Sequence, residues 1–385
     1  MNKDFLVLHG GLPPVLMSQK GRSPSPGRQI YHPGIAPVAD CRRTSVGRSK
    51  KNETSSTVQS NEAGQIPFGD SWSVINVNGF TPPLRIGQSI LYSESTSSIL
   101  FAYGQNLDDS YSSSVYKFSL IDYSWSVVNI PNLSPRAGCG SVIVGNRIWF
   151  FGGSTQKSFV RDLHYLDLDS MTITYPPTTG EIPPACTFPL LAYSHPNLIV
   201  WASMTGSNPS SLHVLNTNTG FWREIPTEQV YRQGSCGRIV NNNLYIFGAS
   251  CPNTILTLGL ADFDFSVVQT TGEEPTHGLE SLTTTQVGKN LLTLSTIGDD
   301  SLNQIYSFDT ERSTWSRFTI NQTSIEAEPI IVFYLEKQRK LLLILQGSQD
   351  SGNIFAELPI GKPMSRVNLR LDLLNALSPI GSDQI

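Results

Sequence analysis

Short apolar stretches separated by polar turn residues dominate the chain from about residue 67 onward. They have the length of strands, are rich in β-branched and aromatic residues, and are bounded by clusters of Gly, Pro, Asn, Asp and Ser. Clear examples are Ser141–Val144, Arg147–Phe151, Asn197–Trp201, Leu244–Phe247 and Lys340–Leu345. No convincing amphipathic helix precedes residue 364, so the pattern predicts an all-β body.

An aromatic residue recurs late in each of a series of units, usually shortly after an Asp or Asn. The series is Trp72, Trp125, Tyr175, Trp222, Phe265 and Trp315. Positions 72 and 315 differ by 243 residues in five steps, a mean period of about 49. A period of this size, with about four strands in each unit, is typical of propeller blades.

The clearest unit begins at Pro135-Arg136-Ala137-Gly138-Cys139-Gly140 and continues with two strands joined by Gly145-Asn146. The second strand ends in Gly152-Gly153, where a side chain would crowd the neighbouring blade, and a third strand follows at Asp162–Asp167. This order of features resembles the kelch motif over roughly residues 68–358, although only this unit keeps both glycines. The resemblance implies a kelch-type β-propeller.

The number of strands predicts six blades. Five complete units occupy residues 84–318, and three further strands follow at Glu328–Tyr334, Lys340–Leu345 and Asn353–Leu358. One orphan strand, Ser71–Val77, precedes the first unit. We therefore expect this N-terminal strand to complete the sixth blade, because closing the ring removes an open sheet edge.

Charge and aromatic content separate the N-terminal region from the rest of the chain. Residues 1–66 contain nine Lys/Arg against four Asp/Glu, a net charge of +5, and two of the 36 aromatic residues. This composition predicts a disordered basic tail over 1–66, followed by the propeller over 67–360. An apolar extension over 361–385 has a pattern compatible with either a helix or a strand. The region after residue 66 has a net charge of −9, which argues against nucleic-acid binding.

Three serines in the basic tail are candidate phosphorylation sites. Ser23 and Ser25 precede prolines, and Ser45 follows Arg42-Arg43. Phosphorylation would reduce the local positive charge and could switch binding to an acidic surface. The chain has no run of 18 apolar residues, so no membrane span is expected. Five cysteines without a C-x-x-C pair predict reduced thiols in a cytoplasmic protein, with a nuclear location as the alternative.

The sequence predicts no catalytic residue, no metal site and no cofactor. The six histidines form no H-x-x-x-H or H-E-x-x-H arrangement, and His164 and His213 occupy comparable places in two third strands, which favours a packing role. Cys139, Cys186 and Cys236 recur early in three first strands. We interpret them as small buried hydrophobic residues rather than as ligands of a soft metal.

Arg85, Arg136 and Arg232 begin the first strands of three units. Kelch-type propellers that bind acidic peptides often place arginines at this mouth, so the resemblance implies that these residues bind an acidic segment of a partner protein. On this hypothesis the three arginines lie outside the blade cores. The simpler interpretation is that each arginine pairs with a local carboxylate.

The predicted function is a non-catalytic protein-interaction module, a scaffold or adaptor that binds a partner segment on one propeller face. It predicts a channel lined by Gly, Cys, Ser and aliphatic residues, with charge only at the mouth. The alternative is an enzyme, oxidase-like or mutarotase-like, that uses the central pocket. That alternative predicts ionisable side chains with shifted pKa values converging in the pocket.

Overall fold

The computed structural model describes residues 66–203, 210–231, 235–247, 254–275, 282–295, 302–321, 325, 327–348 and 352–361. Within these ranges the chain forms strands and turns, and no helix there is long and apolar enough to cross a membrane. Most of the predicted tail and of the C-terminal extension lies outside the described residues. Ile66, which the sequence assigned to the tail, is 6% exposed and packs in the core between the fifth and sixth blades.

Six sheets form the body of the molecule, each corresponding to one predicted blade. The first strand along the chain, β1 (Ser73–Val74), belongs to the last blade. Blades 1 and 2 consist of β2 (Ser89–Ser93), β3 (Ser98–Ala102), β4 (Val115–Ser119), β5 (Trp125–Val128), then β6 (Gly140–Val144), β7 (Arg147–Phe151), β8 (Leu163–Asp167) and β9 (Thr172–Thr174). Blade 3 consists of β10 (Thr179–Gly180), β11 (Leu190–Ser194), β12 (Asn197–Ser203), β13 (Ser210–Asn216) and β14 (Phe221–Ile225).

The remaining three blades repeat the same meander. Blade 4 consists of β15 (Cys236–Val240), β16 (Asn243–Phe247), β17 (Ile255–Gly259) and β18 (Phe265–Val268). Blade 5 consists of β19 (Thr271–Gly272), β20 (Leu282–Val287), β21 (Asn290–Ser295), β22 (Gln304–Asp309) and β23 (Thr314–Thr319). Blade 6 consists of β24 (Glu328–Leu335), β25 (Lys340–Gln346), β26 (Asn353–Pro359) and β1. The all-β six-bladed propeller predicted from the sequence is confirmed.

Closure of the ring by the N-terminal strand is also confirmed. β1 pairs antiparallel with β26 through Ser73 opposite Glu357 and Val74 opposite Ala356. Trp72 is 5% exposed, and its indole Nε1 donates a hydrogen bond to the carbonyl of Leu302 at 2.9 Å. The strand from one end of the chain therefore completes a blade from the other end and anchors it to blade 5.

The recurring aromatic residue occupies one register position of the fourth strand. Trp125, Trp222 and Trp315 each pair with an apolar residue of the third strand in their blade, as does Phe265 in β18. In blade 2 this position is Ile173, opposite Leu166, and not the expected Tyr175, which is half exposed after the strand. The aromatic period was therefore correctly located in the other blades and displaced by two residues in blade 2.

The glycine pair of blade 2 lies where the sequence predicts crowding. Gly152 and Gly153 both have positive φ angles, of 68° and 100°. A Cβ on Gly152 would lie 2.7 Å from the carbonyl oxygen of Cys186, which leads into blade 3, and one on Gly153 would lie 2.8 Å from Cys139 Sγ. The conformation and the close approach together require glycine at this corner.

Candidate functional site

The propeller has two faces, which differ in the connections they carry. The turn face carries the turns that join the first strand to the second and the third to the fourth in each blade. The loop face carries the connections from the second strand to the third and the segments that lead into the first strands. Arg85 and Arg136 lie on these leading segments, whereas Arg232 lies outside the described residues.

Arg85 is held by groups of its own blade. Its Nε donates to Asn106 Oδ1 at 3.1 Å, and its two terminal nitrogens donate to the carbonyls of Tyr103 and Ser114 and to the hydroxyl of Tyr116 at 3.1–3.3 Å. The guanidinium also lies 4.9 Å from the centre of the Tyr116 ring. Burial lowers the pKa of Arg85, although Tyr116 opposes this shift.

Arg136 is more deeply placed, with only 3% of its surface exposed. One terminal nitrogen donates to Asp162 Oδ1 at 2.9 Å and to the carbonyl of Gly152 at 3.4 Å. The guanidinium lies 5.6 Å from the centre of the Tyr103 ring. The expectation that the strand-start arginines lie outside the blade cores is therefore wrong for Arg136, because its side chain is buried. Its pairing with Asp162 agrees with the simpler interpretation of a local carboxylate partner.

His164 completes this network between blades 1 and 2. Its Nε2 lies 2.5 Å from the Tyr103 hydroxyl, and its Nδ1 lies 3.3 Å from Asp162 Oδ2. The hydrogen bond with Tyr103 suits a neutral imidazole whose Nε2 accepts from the hydroxyl, which leaves the proton on Nδ1. Nδ1 lies close to Asp162 Oδ2, but the two atoms do not form a hydrogen bond. His164 and His213 occupy equivalent register positions two residues before Leu166 and Leu215, and both are buried, so their predicted comparable placement is confirmed.

The pKa values of the network show how the charges are stabilised. Burial alone would raise the pKa of Asp162, but its contacts with His164 and Arg136 hold that pKa well below the usual range. Burial lowers the pKa of His164 against the opposing effect of Asp162, and it raises the pKa of the Cys139 thiol to about 12. The network is thus a stable ion pair of Arg136 and Asp162 flanked by neutral groups.

The three recurring cysteines are each buried, and their sulfur atoms are reduced. Cys139 Sγ lies 3.3 Å from the carbonyl oxygen of Gly152, whereas Cys236 Sγ contacts Thr284 Oγ1 at 3.3 Å. Burial raises the pKa of the Cys186 thiol to about 12. Among the described residues, these thiols and the other potential ligands form no cluster of three with metal-binding geometry.

A cavity of about 740 Å³ opens on the turn face. We call it the mouth cavity. Five blades contribute to its lining, and a representative of each is Tyr92, Asn146, Arg238, Thr285 and Phe333. The propeller fold brings these residues together because the first strands of the blades surround the central axis and end at this face.

Arg238 is the functional candidate that sequence reasoning missed. It is the middle residue of β15, is 5% exposed and lines the mouth cavity. Its terminal nitrogens donate to the backbone carbonyls of Gly237 and Thr284. The sequence analysis expected charge at the mouth of the channel, but it did not identify a buried cation in the wall of this cavity. The corresponding positions of three other first strands are Leu91, Val142 and Ala192, so an arginine in this apolar register was the available signal.

Comparison with known families covers blades 1 to 3 and the first two strands of blade 4. Residues 67–249, just under half of the chain, match the family described as the KLHDC2/KLHL20/DRC7 Kelch-repeats domain. This range includes the unit with Gly152-Gly153 on which the sequence resemblance was based.

Several characterised proteins are similar to part of the chain. Acyl-CoA-binding domain-containing protein 5 of Arabidopsis thaliana is 30% identical over 196 residues, which cover 46% of this chain and 30% of that protein. Rab9 effector protein with kelch motifs of Homo sapiens is 27% identical over 179 residues, covering 43% of this chain and 48% of that protein. The chain spans less than half the length of each of these relatives. The matched kelch repeats and the six-bladed architecture together show that this chain forms a kelch-type β-propeller.

Proposed function

We propose that this chain is a non-catalytic protein-interaction module that binds a segment of a partner protein in the mouth cavity. The observation that carries the proposal is the cavity itself, because its lining combines aromatic rings, hydroxyl groups and charges contributed by five blades. A volume of about 740 Å³ accommodates several side chains of an inserted segment. Kelch propellers generally mediate protein–protein interaction, which supports this function.

One buried cluster of ionisable groups lies outside the mouth cavity and therefore has no part in the proposed binding site. The Arg136–Asp162–His164 network lies in the contact between blades 1 and 2, where Asp162 pairs with Arg136 and lies 3.3 Å from His164 Nδ1. It does not line the mouth cavity in the described part of the chain. We include in the proposal a cytoplasmic or nuclear location, which suits the reduced thiols of Cys139, Cys186 and Cys236.

Whether the loop face binds a partner through Arg85 and Arg136 stays a prediction. Both arginines already donate hydrogen bonds to side chains of their own blades. Fewer of their N–H groups therefore remain for a carboxylate of a partner. We therefore place the partner on the turn face. Arg85 then serves as the comparison in the experiment that separates the two faces.

The experiment is quantitative affinity capture from cell extract with the full chain and two blocking variants. Ser95→Trp places a bulky ring at an exposed position of the cavity lining, whereas Ser126→Trp adds the same ring to an exposed outer strand. We expect Ser95→Trp to reduce capture of specific partners about tenfold and Ser126→Trp to leave it unchanged. Equal capture by the native chain and Ser95→Trp, with loss in Arg85→Ala, would place the interaction on the loop face instead.

A further inference from the structure

Arg238 is a buried cation, and none of the residues that the structure describes supplies a negative charge to balance it. Its two hydrogen-bond acceptors, the carbonyls of Gly237 and Thr284, are neutral backbone groups. No carboxylate lies within ion-pair range of the guanidinium among the residues that the structure describes. Burial lowers the pKa of Arg238 to about 10, which shows that the charged form is poorly solvated in this wall. A buried charge of this kind is costly without an anionic partner.

The position of Arg238 allows an anion to reach it from outside. The residue lines the mouth cavity, and its guanidinium still has N–H groups that the two carbonyls do not occupy. A guanidinium with free N–H groups binds a carboxylate through a planar, charge-assisted pair of hydrogen bonds. The wall around it offers the Thr285 side chain from blade 5 and the Tyr92 and Phe333 rings from blades 1 and 6.

The outer lining of the cavity has the opposite charge. Glu94, Asp169 and Glu336 lie on turns from three different blades. Burial, together with the charge of Glu94, raises the pKa of Tyr92 to about 12. Lys337 lies 3.5 Å from Glu94 and partly offsets this charge, but both side chains are exposed and their pairing is screened by solvent. The cavity therefore has an acidic entrance and a cationic inner wall.

We propose that the mouth cavity binds a mixed-charge segment of a partner protein, in which an Asp or Glu side chain pairs with Arg238 and flanking Lys or Arg side chains meet the acidic entrance. This inference rests on the proposed function and adds the chemistry of the bound segment. A segment with acidic residues alone would be repelled by Glu94 and Asp169. A segment with basic residues alone would leave Arg238 without a partner.

The test uses two phage-displayed peptide libraries selected on the full-length chain. One library has the form Lys-X-Glu-X-Lys and the other has Gln in place of Glu, with X randomised in both. We expect enrichment from the Glu library only, and at least tenfold weaker binding when the central Glu of a selected peptide is changed to Gln. Equal enrichment from both libraries, or from neither, would overturn the proposal.

Variants of the protein test whether the cationic inner wall and the acidic entrance of the cavity both contribute to binding. Arg238→Met should weaken binding of the selected peptide at least tenfold, whereas Arg317→Met, at an exposed position of β23, should leave it unchanged. The double variant Glu94→Lys/Asp169→Lys should reverse the preference for flanking Lys to one for flanking Glu. Unchanged affinity in Arg238→Met contradicts the proposal. If that variant fails to fold, Arg238→Lys and the Glu-to-Gln comparison on the native chain decide.

The result also separates this inference from the proposed function. Loss of partner capture in Ser95→Trp, together with equal binding of the Glu and Gln peptides, would support a protein-binding cavity and contradict its carboxylate specificity. Unchanged capture in Ser95→Trp, with a clear preference for Glu peptides at Arg238, would support the site chemistry and contradict a role for the cavity in recruiting the captured partners.

Discussion

Two buried arginines in this propeller differ in where their counter-charge comes from. Arg136, between blades 1 and 2, pairs with Asp162 at 2.9 Å and has the neutral side chains of His164 and Tyr103 beside it. Arg238, between blades 4 and 5, has backbone carbonyls for partners and faces a cavity. The same residue type thus stabilises the fold in one place and remains available to a ligand in the other. Burial of an arginine alone does not show which role it has.

The largest expected effect is the loss of the internal counter-charge. Asp162→Ala leaves Arg136 buried without a carboxylate, and we expect the free energy of unfolding to fall by about 3–5 kcal/mol. Replacing both residues, as Arg136→Met/Asp162→Ala, should restore part of that loss because no unpaired charge remains. Denaturant unfolding of the three proteins measures both effects. A double variant as unstable as Asp162→Ala would show that Arg136 is not charge-paired in the way the structure indicates.

At Arg238 we expect a substitution to raise the free energy of unfolding when no partner is bound, the opposite of the effect at Asp162. Arg238→Met removes an unbalanced buried cation and keeps most of the side-chain volume. We expect this variant to raise the free energy of unfolding by about 1–3 kcal/mol. The exposed control Arg317→Met should change it by less than about 0.5 kcal/mol. A destabilised Arg238→Met would mean that the carbonyls of Gly237 and Thr284 compensate the charge fully, and the contrast with Arg136 would fail.

The pH dependence of stability tests the neutral state of His164. Its pKa is lowered from 6.5 in the folded protein by burial, so the unfolded chain binds more protons below pH 6.5. Stability is therefore fully present above pH 6.5 and falls as the pH drops toward the lowered value, by at most about 1.4 kcal/mol per pH unit for one histidine. The pKa of His213 is also lowered by burial, and it contributes with the same sign.

His164→Gln removes one of these two contributions and should reduce the slope of the free energy of unfolding between pH 6.5 and pH 5. The comparison is made by denaturant unfolding at several pH values, with the exposed variant Arg317→Met as the reference. Arg136, Asp162 and Tyr103 face the imidazole, and the ion pair of Arg136 and Asp162 stays charged throughout this range. An unchanged slope would contradict a lowered pKa of His164 in the folded protein.

The smallest expected effect is at Arg85, whose surroundings are intermediate between those of Arg136 and Arg238. It has no carboxylate partner among the described residues, but it is partly exposed. Its guanidinium donates hydrogen bonds to the side chains of Asn106 and Tyr116 and to two backbone carbonyls of the loops. We expect Arg85→Met to lower the free energy of unfolding by about 1 kcal/mol, through the lost hydrogen bonds. Partner capture should be unchanged. Capture reduced tenfold with an intact fold would favour the loop face and the acidic-segment hypothesis for Arg85 and Arg136.

Most of the architecture could be predicted because it depends on local pattern and on repetition. The strands Arg147–Phe151 and Lys340–Leu345 were located nearly to the residue, since each is apolar and bounded by turn residues. Closure by Ser71–Val77 followed from counting strands, which needs no knowledge of contacts. The short strands β10 and β19 were missed, because each is two residues long and pairs in parallel with the fourth strand of its own blade, ahead of the first strand.

The chemistry of the buried polar groups was less accessible to sequence reasoning. Arg136 and Asp162 are separated by 26 residues, and nothing in their local sequence shows that a loop returns one to the other. Arg238 lies in Cys236–Val240, which reads as an ordinary strand unless the first strands of all units are aligned. Which side chains line a cavity depends on how the six blades pack around the central axis. That packing is a property of the assembled ring and not of any local stretch of sequence.

Nuclear magnetic resonance of the arginine side chains tests the contrast between Arg136 and Arg238 most directly. The Nε–Hε signals of arginine-labelled full-length protein are assigned with Arg136→Met and Arg238→Met, and a selected Lys-X-Glu-X-Lys peptide is then added. We predict a shift of the Arg238 signal with the Glu peptide, no such shift with its Gln counterpart, and an unchanged Arg136 signal in both titrations. A shift at Arg136 with none at Arg238, or equal shifts of Arg238 with both peptides, would contradict the account.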